Sequence, residues 1–357
     1  MNAPASMNSV ALVVGVTGVT GTPLAEELLG LGWKVYGVSR RPPALKAGTP
    51  LGRFVHFAID LQDAQAAPSL AAQCADVTHV FYCAHDGSSE NRVRMIGHLL
   101  TAMSGMRGVV NINLMQGMKY YGSNLGPFRT PAKETDSRVA GCEVYYNEED
   151  IVLRWQHDAP WTWTAFRPHA VCGYTAGNPL NLATVIAVYG SILREAGQPF
   201  AFPGSDASFG TLFQLVDAGL LARAAIHVST MPGCGNQAYN INNGDVFRWK
   251  YMWPALAKFF GLAPGLPSET SLSNFLAQQQ SAWAAIAAKH RLVGFPFEHA
   301  ARWAKGDYTG RNSRLACEHD IIADTLRLRK TGFNEVLDSE AMFLRIFEQL
   351  RNARVIP

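Results

Sequence analysis

The stretch that decides the fold runs from Val10 to Arg41 and reads VALVVGVTGVTGTPLAEELLGLGWKVYGVSRR. Its start, Val10–Val14, is a continuous apolar run, which is typical of a strand covered on both faces. Glycines recur at every third position after it, which lets the chain turn tightly and approach a pyrophosphate closely. They are Gly15, Gly18 and Gly21. The apolar strand and the glycine turn together predict a phosphate-binding loop.

A helix with clear start and end signals is predicted directly after the glycine turn. Thr22 is the expected N-cap, Pro23 suits the first helical position, and Gly32 is expected to end the helix. Trp33–Val38 then forms a second strand. The free N–H groups and the dipole at a helix N-terminus favour a bound phosphate. The order of strand, glycine turn, helix and strand therefore predicts a dinucleotide-binding unit.

The residues at the end of the second strand bear on which dinucleotide binds. An acidic residue at this place holds a ribose hydroxyl and favours NAD, whereas arginine accommodates the additional phosphate of NADP. The sequence here is Ser39-Arg40-Arg41, with no carboxylate beside it. This favours NADPH (NADP+) as the cofactor. The alternative interpretation of the two arginines is a solvated basic turn.

Strands and helices alternate through the first half of the chain. The predicted strands are Arg53–Ile59, Thr78–Cys83, Val109–Leu114 and Trp161–Phe166, and the predicted helices are Ala66–Cys74, Ser88–Met103 and Glu143–His157. Strands joined by helical crossovers form parallel pairs. The expected fold class is therefore α/β, with a Rossmann-type doubly wound parallel sheet. Asp60, at the end of the third strand, either lies near the adenine or only caps a loop.

The pattern becomes mostly helical after about residue 175. The predicted elements are the helices Leu180–Glu195, Gln214–His227 and Ser268–His290, the strand Ala238–Ile241, and a helix that ends at Phe260 and is capped by Asp245. We expect residues 8–175 to form the NADP-binding domain, to which segments such as 236–260 return. Residues 176–357 are expected to form a smaller, mostly helical substrate-binding lobe. The aromatic residues expected to be buried in it are Trp303, Phe333 and Phe343.

Length and composition exclude several classes of protein. The chain has 357 residues, of which 48% are hydrophobic and 17% charged, an ordinary globular balance. A net charge of +3 is too small to indicate a nucleic-acid partner, and no apolar run approaches a membrane-spanning length. The N-terminus lacks the charged start and apolar middle of a signal peptide.

The cysteines and histidines bear on compartment and metal binding. Six cysteines without a C-x-x-C pair favour the reducing cytoplasm, and ten histidines without ligand spacing give no metal site. We therefore expect a cytoplasmic protein that acts on a small molecule, without a nucleic-acid or membrane partner. A homodimer is expected only as the commonest default among oligomers.

A nicotinamide site needs a group that stabilises charge on a substrate oxygen, and a tyrosine hydroxyl can donate that hydrogen bond. Short-chain dehydrogenases place such a tyrosine four residues before a lysine, whose ammonium lowers the tyrosine pKa. Here the fourth residue after Tyr145 is Glu149, and the fourth after Tyr146 is Asp150. Lys119, on the loop after the predicted fifth strand, is the candidate for a displaced lysine. The alternatives are packing at a helix start for the tyrosines and a solvated loop for Lys119.

Several segments resemble the progesterone 5β-reductase/iridoid synthase-like (PRISE) family, an atypical branch of the extended short-chain dehydrogenases/reductases. The resemblance runs in order through nearly the whole chain. Its segments are GVTGVTGTPLAEELL, WKVYGVSRRP, LMQGMKYYGSNLGPF, VYYNEEDI, FRPHAVCGY, YNINNGDVFRWKYMWPALAKFFG and the final Val355-Ile356-Pro357. Several of these segments are specific to this branch and are not shared by Rossmann-fold proteins in general.

The resemblance implies NADPH-dependent 1,4-reduction of the activated C=C bond of enones or enals. It gives Tyr145 the catalytic role with Lys119 as the catalytic lysine, so that both stabilise an enolate. Phe128 matches a residue that lines the family's pocket, and His85 and Tyr146 are expected to contact substrate as well. The expected cofactor contacts are Gly15, Thr17, Gly18, Val19, Thr20, Gly21, Ser39, Arg40, Arg41, Asp60, Leu61, Cys83, Ala84, Gln116, Lys119, Tyr145, Arg167, Pro168 and Val171.

Three positions near the expected pocket depart from the family's pattern. His85 stands in place of a tryptophan, Val144 in place of a phenylalanine, and His169 in place of a glycine. These departures bear on substrate preference rather than on the reaction. A histidine at position 85 makes the pocket more polar and pH-sensitive, or else it is a loop side chain that touches solvent.

Two other functions fit the same fold. One is a carbonyl reductase or alcohol dehydrogenase of the extended type, and the missing Tyr-x-x-x-Lys motif counts against it. The other is a non-catalytic NADP-binding sensor, and the presence of both Lys119 and Tyr145 counts against that.

Overall fold

The computed structural model describes residues 9–85, 88–175, 181–293, 297 and 315–357. At its centre is a parallel sheet of seven strands. In spatial order these are β3 (Phe54–Ala58), β2 (Lys34–Ser39), β1 (Val10–Val14), β4 (His79–Tyr82), β5 (Asn111–Met115), β6 (Thr162–Phe166) and β10 (Gln237–Tyr239). The chain starts in the middle, moves to one edge and then returns to build the other. The predicted doubly wound α/β fold is confirmed.

Helices cover both faces of this sheet. Four of them are α1 (Gly21–Gly30), α2 (Ala66–Gln73), α3 (Ser89–Met103) and α4 (Glu143–Gln156). Strand β1 shows why both faces need cover, because Leu12 packs into one hydrophobic cluster and Val13 into the cluster on the opposite face. All five residues of β1 are buried. The strand is therefore the axis of the fold, as its unbroken apolar sequence predicts.

The glycine turn is packed so closely that two of its positions accept only glycine. Gly15 has φ +82°, and a Cβ there would lie 2.7 Å from the backbone nitrogen of Ala84 after β4. A Cβ on Gly21 would lie 2.3 Å from the carbonyl oxygen of Gly15. Gly18 is different, since the nearest atom to its Cβ position is the Gly15 carbonyl oxygen at 3.4 Å. The first and third glycines thus serve packing, whereas the second is less crowded and would accept a Cβ at ordinary contact distance.

The prediction that Thr22 caps the first helix is wrong. The helix begins at Gly21, and the Thr22 hydroxyl donates a hydrogen bond of 2.8 Å to the carbonyl of Val16. The helix therefore starts two residues earlier than predicted, at Gly21 rather than Pro23, and the Thr22 hydroxyl bonds to the carbonyl of Val16 behind it. The predicted end is confirmed, since Gly32 follows the helix with φ +81°.

The later part of the chain contributes to both the sheet and a separate core. Helix α7 (Ala218–Thr230) packs on the same face as α1, although it lies in the segment predicted to form the lobe. The predicted helix Gln214–His227 is wrong at its start, where residues Leu215–Asp217 form strand β9 and pair with β7 (Ala170–Cys172). Asp217 then caps α7 by accepting hydrogen bonds from two of its first backbone N–H groups.

The other helices of the described residues are α5 (Leu182–Glu195), α6 (Asp206–Gly210), α8 (Trp249–Phe259), α9 (Leu272–Gln278), α10 (Gln280–His290), α11 (Leu326–Lys330) and α12 (Ser339–Asn352), with the short strands β8 (Leu212–Phe213) and β11 (Phe247–Arg248). Apart from α11, whose Leu328 packs on the sheet face that α7 covers, they surround an aromatic core. Phe200 stacks on Trp253 with ring centroids 4.5 Å apart. Phe343 is fully buried here, and Phe333 is buried against α7, as predicted. The expectation for Trp303 lies outside the described residues.

Two further expectations about these helices are wrong. Asp245 does not cap α8, which begins at Trp249 after a short strand. Its carboxylate instead accepts hydrogen bonds from the backbone N–H and the hydroxyl of Ser339, at 2.7 and 2.6 Å, and so tethers α12. The single helix expected over Ser268–His290 is two helices, α9 and α10. Within the described residues, no helix is long and apolar enough to cross a membrane.

The close approach within the glycine turn leads to a stability prediction. We expect Gly21→Ala to lower the free energy of unfolding by about 1–3 kcal/mol, because its Cβ would meet backbone atoms that cannot move aside cheaply. The matched control is Gly30→Ala in the same helix, where nothing lies within 4 Å of a Cβ and a gain of about 0.5–1 kcal/mol is expected. Urea unfolding measures both, and equal midpoints for the two variants would contradict the packing argument.

Candidate active site

The carboxyl ends of β1, β4, β5 and β6 meet at one edge of the sheet, where ligands bind in folds of this type. Gly15 presses its backbone against Cys83 and Ala84 there. His85 follows them and is exposed. Burial raises the pKa of the Cys83 thiol to about 12. The glycine turn and the end of β4 thus form one continuous surface.

This edge fits a dinucleotide. The space over Gly18 lies beside the N-terminus of α1, where the backbone N–H of Thr22 donates to the carbonyl of Gly18 at 3.0 Å and the helix dipole favours an anion. The turn residues Thr17, Val19 and Thr20 border it, and the Val19 side chain would lie 3.7 Å from a Cβ on Gly173. The residues present therefore suit a pyrophosphate held by backbone groups.

The end of β2 presents the two arginines to solvent. The Ser39 hydroxyl donates a hydrogen bond of 2.6 Å to the carbonyl of Arg41 and lies 3.0 Å from Nε2 of His56. These contacts shape the turn, and Arg40 and Arg41 are both exposed on it. The basic pair is consequently available to an anion at this end of the site.

The end of β3 contributes differently from the arginine turn. Asp60 is exposed, and its Oδ1 accepts a 3.0 Å hydrogen bond from the backbone N–H of Gln62, which is the loop-capping alternative. Leu61 is buried, and its carbonyl accepts a hydrogen bond from Nδ1 of His98 at 2.7 Å. Both residues lie where the adenine of the cofactor is expected, and the Asp60 carboxylate and the Leu61 carbonyl are hydrogen-bonded within the protein.

The loop after β5 is fixed against the end of β6. The backbone N–H of Met118 donates to the carbonyl of Pro168 at 2.9 Å, and that of Gln116 donates to the carbonyl of Phe166 at 2.9 Å. The loop then forms one turn of 3₁₀-helix, Met118–Tyr121, on which Lys119 is exposed. The lysine therefore stands on a firmly positioned turn at the carboxyl edge of the sheet.

Tyr145 reaches this loop from the first turn of α4. A Cβ placed on Gly117 would lie 2.9 Å from the Tyr145 hydroxyl oxygen and 3.4 Å from the carbonyl oxygen of Pro168. Gly117 has an extended backbone, so the absence of a side chain there is a matter of space rather than of conformation. The glycine lets the tyrosine hydroxyl sit against the backbone two residues before Lys119.

Tyr146, the next residue, points into the core. Its ring is 6% exposed and packs edge-on against Tyr120, with centroids 4.7 Å apart. Its hydroxyl donates to the carbonyl of Tyr120 at 2.5 Å and accepts from the backbone N–H of Val139 at 2.8 Å. The two tyrosines therefore have different surroundings. Tyr146 packs in the core and bonds to the backbone, whereas the hydroxyl of Tyr145 lies against the loop that bears Lys119.

A buried ionic network holds α4 to the sheet. Arg167, 2% exposed, donates to Oε1 of Gln116 at 2.9 Å and to Oε2 of Glu149 at 3.2 Å, and its guanidinium lies 3.3 Å from the ring centre of Tyr120. Burial opposes its charge, but Tyr121, Tyr120 and Glu149 outweigh burial and raise the pKa of Arg167. Gln116 and Arg167 were both expected to contact the cofactor. The structure uses these side chains to fix the site's framework.

A second buried network lies next to Tyr145 and was not predicted. Arg92 of α3 forms a bidentate pair with Glu148 of α4, at 2.9 and 2.7 Å, and the two residues are 2% and 3% exposed. Its third contact is with Nδ1 of His85, at 2.7 Å. The guanidinium carbon also lies 4.9 Å from the ring centre of Tyr145.

Burial and mutual attraction act in opposite directions on the two members of this pair. Burial opposes the charge of Arg92, but Glu148 outweighs it, and the pKa of Arg92 is raised, with smaller contributions from Tyr145 and Tyr82. Burial raises the pKa of Glu148, and Arg92 opposes that rise. The sequence held one signal for Arg92, which falls on the apolar stripe of α3 together with Ile96 and Leu99.

Phe128 lines a cavity of about 630 Å³ formed mainly by the segment after the lysine loop. The cavity wall includes Tyr121, Leu125, Pro127, Phe128 and Val139. The Phe128 ring faces His319 edge-on, with centroids 6.0 Å apart. Among the described residues, the wall of this cavity includes neither Tyr145 nor Lys119. Phe128 therefore does not share this cavity with the tyrosine.

The other expected positions lie around the same edge. Val171 is on β7, which pairs with β9 rather than with the main sheet. His169 packs against Phe213 with ring centroids 4.8 Å apart, and Val144 is half-buried at the start of α4. Position 169 therefore carries a ring that packs against the aromatic core of the lobe.

Comparison with known proteins gives matches over most of the chain. The family described as "PRISE-like Rossmann-fold domain" matches residues 66–357. An (S)-8-oxocitronellyl enol synthase of Antirrhinum majus is 31% identical over 373 residues, covering 98% of this chain and 93% of the relative. A 3-oxo-Delta(4,5)-steroid 5-beta-reductase of Arabidopsis thaliana is 29% identical over 377 residues, covering 99% and 94%.

Solved structures extend the likeness to the whole fold. The UDP-glucose 4-epimerase from Bifidobacterium longum in complex with NAD+ and UDP has a TM-score of 0.70 to this chain at 15% identity. The alignment covers 96% of this chain and 98% of the epimerase. At this identity the likeness concerns the fold, including the lobe after the sheet.

Proposed function

The chain belongs to the PRISE-like Rossmann-fold family, and on that premise we propose that it reduces the activated C=C bond of an enone or enal with NADPH. The resemblance read from the sequence is thereby confirmed, as is membership in a family of oxidoreductases that includes a steroid 5-beta-reductase. The observation that carries the proposal is the Tyr145 hydroxyl, which lies against Gly117 on the loop that bears Lys119.

The chemistry follows from what these two side chains can do. NADPH, when bound, supplies a hydride for the β-carbon of the conjugated substrate. Negative charge then develops on the carbonyl oxygen as an enolate, and the Tyr145 hydroxyl donates a hydrogen bond or a proton to that oxygen. The Lys119 ammonium favours the tyrosinate and so makes Tyr145 a better donor. Tyr146 supplies no such group, because its hydroxyl is bonded to the backbone on both sides.

The cofactor is held, in this proposal, by residues from three strand ends. Gly18 and the N-terminus of α1 take the pyrophosphate, because the turn is less crowded there. Arg40 and Arg41 take the additional phosphate of NADPH, and their exposure at the end of β2 supports this assignment. Cys83 and Ala84 line the floor of the site between them.

The proposal is tested by steady-state assays of the purified protein with NADPH. The panel holds a small cyclic enone, a steroid enone, a conjugated enal and a saturated ketone. We expect saturated products from the conjugated substrates, identified by mass, and no turnover of the ketone. Turnover of the ketone alone would replace the proposal with a carbonyl reductase, and tight NADPH binding without any turnover would replace it with a sensor.

Tyr145→Phe removes the proposed donor. We expect turnover to fall on the order of a hundred- to a thousand-fold, as for the loss of one preorganised donor to an oxyanion. The dissociation constant of NADPH, measured by fluorescence, should change little. The control is Tyr251→Phe, whose ring is 71% exposed and which should keep full turnover. Full turnover in Tyr145→Phe would rule out the assigned role.

Gly117→Ala tests the contact between the loop and the tyrosine. The added Cβ would lie 2.9 Å from the Tyr145 hydroxyl oxygen, so the ring tip must move by a few tenths of an ångström. We expect turnover to fall about ten- to a hundred-fold with stability preserved, because a small misplacement of a catalytic group is costly. Gly97→Ala, with nothing within 4 Å of its Cβ, is the matched control and should leave turnover intact. Equal rates in the two variants would contradict the placement of Tyr145.

Removing both arginines tests the cofactor assignment. We expect the double variant Arg40→Ala/Arg41→Ala to weaken NADPH binding at least about ten-fold, by loss of charge-assisted hydrogen bonds to the phosphate. NADH binding should change little, since NADH lacks that phosphate. Titration of each cofactor measures the two affinities, and an equal loss for both would show that the pair does not read the phosphate.

A further inference from the structure

The buried pair of Arg92 and Glu148 stands apart from the rest of the core. Two ionised groups in such a place lose their hydration, and apolar side chains of the same volume often stabilise a protein as well or better. The pair lies directly beside Tyr145, at the edge of the sheet where the cofactor site is formed. A role in the site, rather than in stability alone, would account for a buried ion pair at this position.

The guanidinium of Arg92 is held in a fixed position next to the ring of Tyr145. The guanidinium carbon of Arg92 lies 4.9 Å from the centre of the Tyr145 ring, within the range of a cation–π contact. Three contacts fix the guanidinium in place, two to the carboxylate of Glu148 and one to Nδ1 of His85. A guanidinium only donates, so Nδ1 of His85 accepts and the ring proton stays on Nε2. The arginine therefore cannot turn away from the tyrosine without losing three hydrogen bonds.

The ring of Tyr145 thus has a fixed positive charge on one side. The carboxylate that compensates this charge belongs to Glu148, which follows Tyr145 by three residues on the same helix, α4. The titratable and charged groups around this place are Arg92 of α3, Glu148 of α4, Tyr82 of β4, His85 after β4, and Lys119 on the loop after β5.

We propose that Arg92 is a positioning residue for Tyr145, whose guanidinium fixes the ring and favours the negatively charged state of its hydroxyl. The inference rests on the proposed function, because it assigns Arg92 a part in the same donor. Lys119 acts on the hydroxyl from the exposed loop, and Arg92 acts on the ring from the core. Arg92 touches neither substrate nor cofactor in this role.

Two variants of opposite electrostatic sign test the proposal. Arg92→Met/Glu148→Met removes both charges and fills the space with apolar side chains, which buried ion pairs commonly tolerate. Glu148→Gln removes only the carboxylate and leaves the arginine uncompensated beside the ring. The readout is the ultraviolet difference titration of tyrosinate, from which the curve of the corresponding Tyr145→Phe protein is subtracted.

The two variants should move the titration of Tyr145 in opposite directions. We expect its midpoint to rise by about one pH unit in the double variant and to fall by about one unit in Glu148→Gln, as for an opposite charge removed or unmasked at this range. The alkaline limb of kcat should shift in the same two directions while KM holds. General loosening of the fold would move both variants the same way.

The matched control is Arg94→Met. Arg94 lies two residues after Arg92 on the same helix, pairs with Glu90 at the surface at 2.9 Å, and should leave the titration of Tyr145 unchanged. Unmoved midpoints in both test variants, or shifts of the same sign, would overturn the role of Arg92. The titration needs no turnover, so it decides the role of Arg92 even where the enone assays fail. Full turnover in Tyr145→Phe would instead overturn the proposed function.

Discussion

The geometry of the site depends on the hydrogen bonds that the buried carboxylate of Glu149 accepts. It accepts hydrogen bonds from Gln116 at the end of β5 and from Arg167 at the end of β6, so it ties α4 to both strands. The Tyr120 hydroxyl and the guanidinium of Arg138 complete its set of partners. A buried ion pair stabilises a fold only when its atoms are satisfied in this way. Helix α4 is thereby fixed both in position and in rotation about its axis.

Rotation matters because of what else lies on the same face of that helix. Tyr145 precedes Glu148 and Glu149 by three and four residues, which places all three side chains together. Each glutamate holds a buried arginine from a different element, Arg92 from α3 and Arg167 from the end of β6. The tyrosine is therefore oriented by two anchors, and the steric gap at Gly117 receives its hydroxyl. The orientation of Tyr145, the proposed donor, is therefore set by the core, and the exposed loop supplies only the Gly117 contact.

The sequence allowed the sheet to be predicted, because local patterns determine it. Apolar runs, glycine spacing and helix ends are read within a few residues, and they predicted the parallel, doubly wound sheet and the place of Lys119 on the loop after its fifth strand. The failures involve competing partners. Thr22 has an acceptor six residues back, and Asp245 binds Ser339, 94 residues away. Arg92 could not be assigned for the same reason, since its partner Glu148 is 56 residues distant and an arginine in a helix is usually exposed.

The state of Cys83 has a consequence for chemical durability. Conjugated carbonyl compounds alkylate thiolates, and the backbone of this cysteine borders the glycine turn of a site proposed to bind them, while its side chain packs against the apolar cluster of α1 and α7. Burial raises the pKa of its thiol to about 12, so the thiol stays protonated at neutral pH. Protonated thiols are poor nucleophiles, so a conjugated carbonyl compound can bind at this site without alkylating Cys83. The same burial that packs β4 against the glycine turn thus protects the enzyme from self-inactivation.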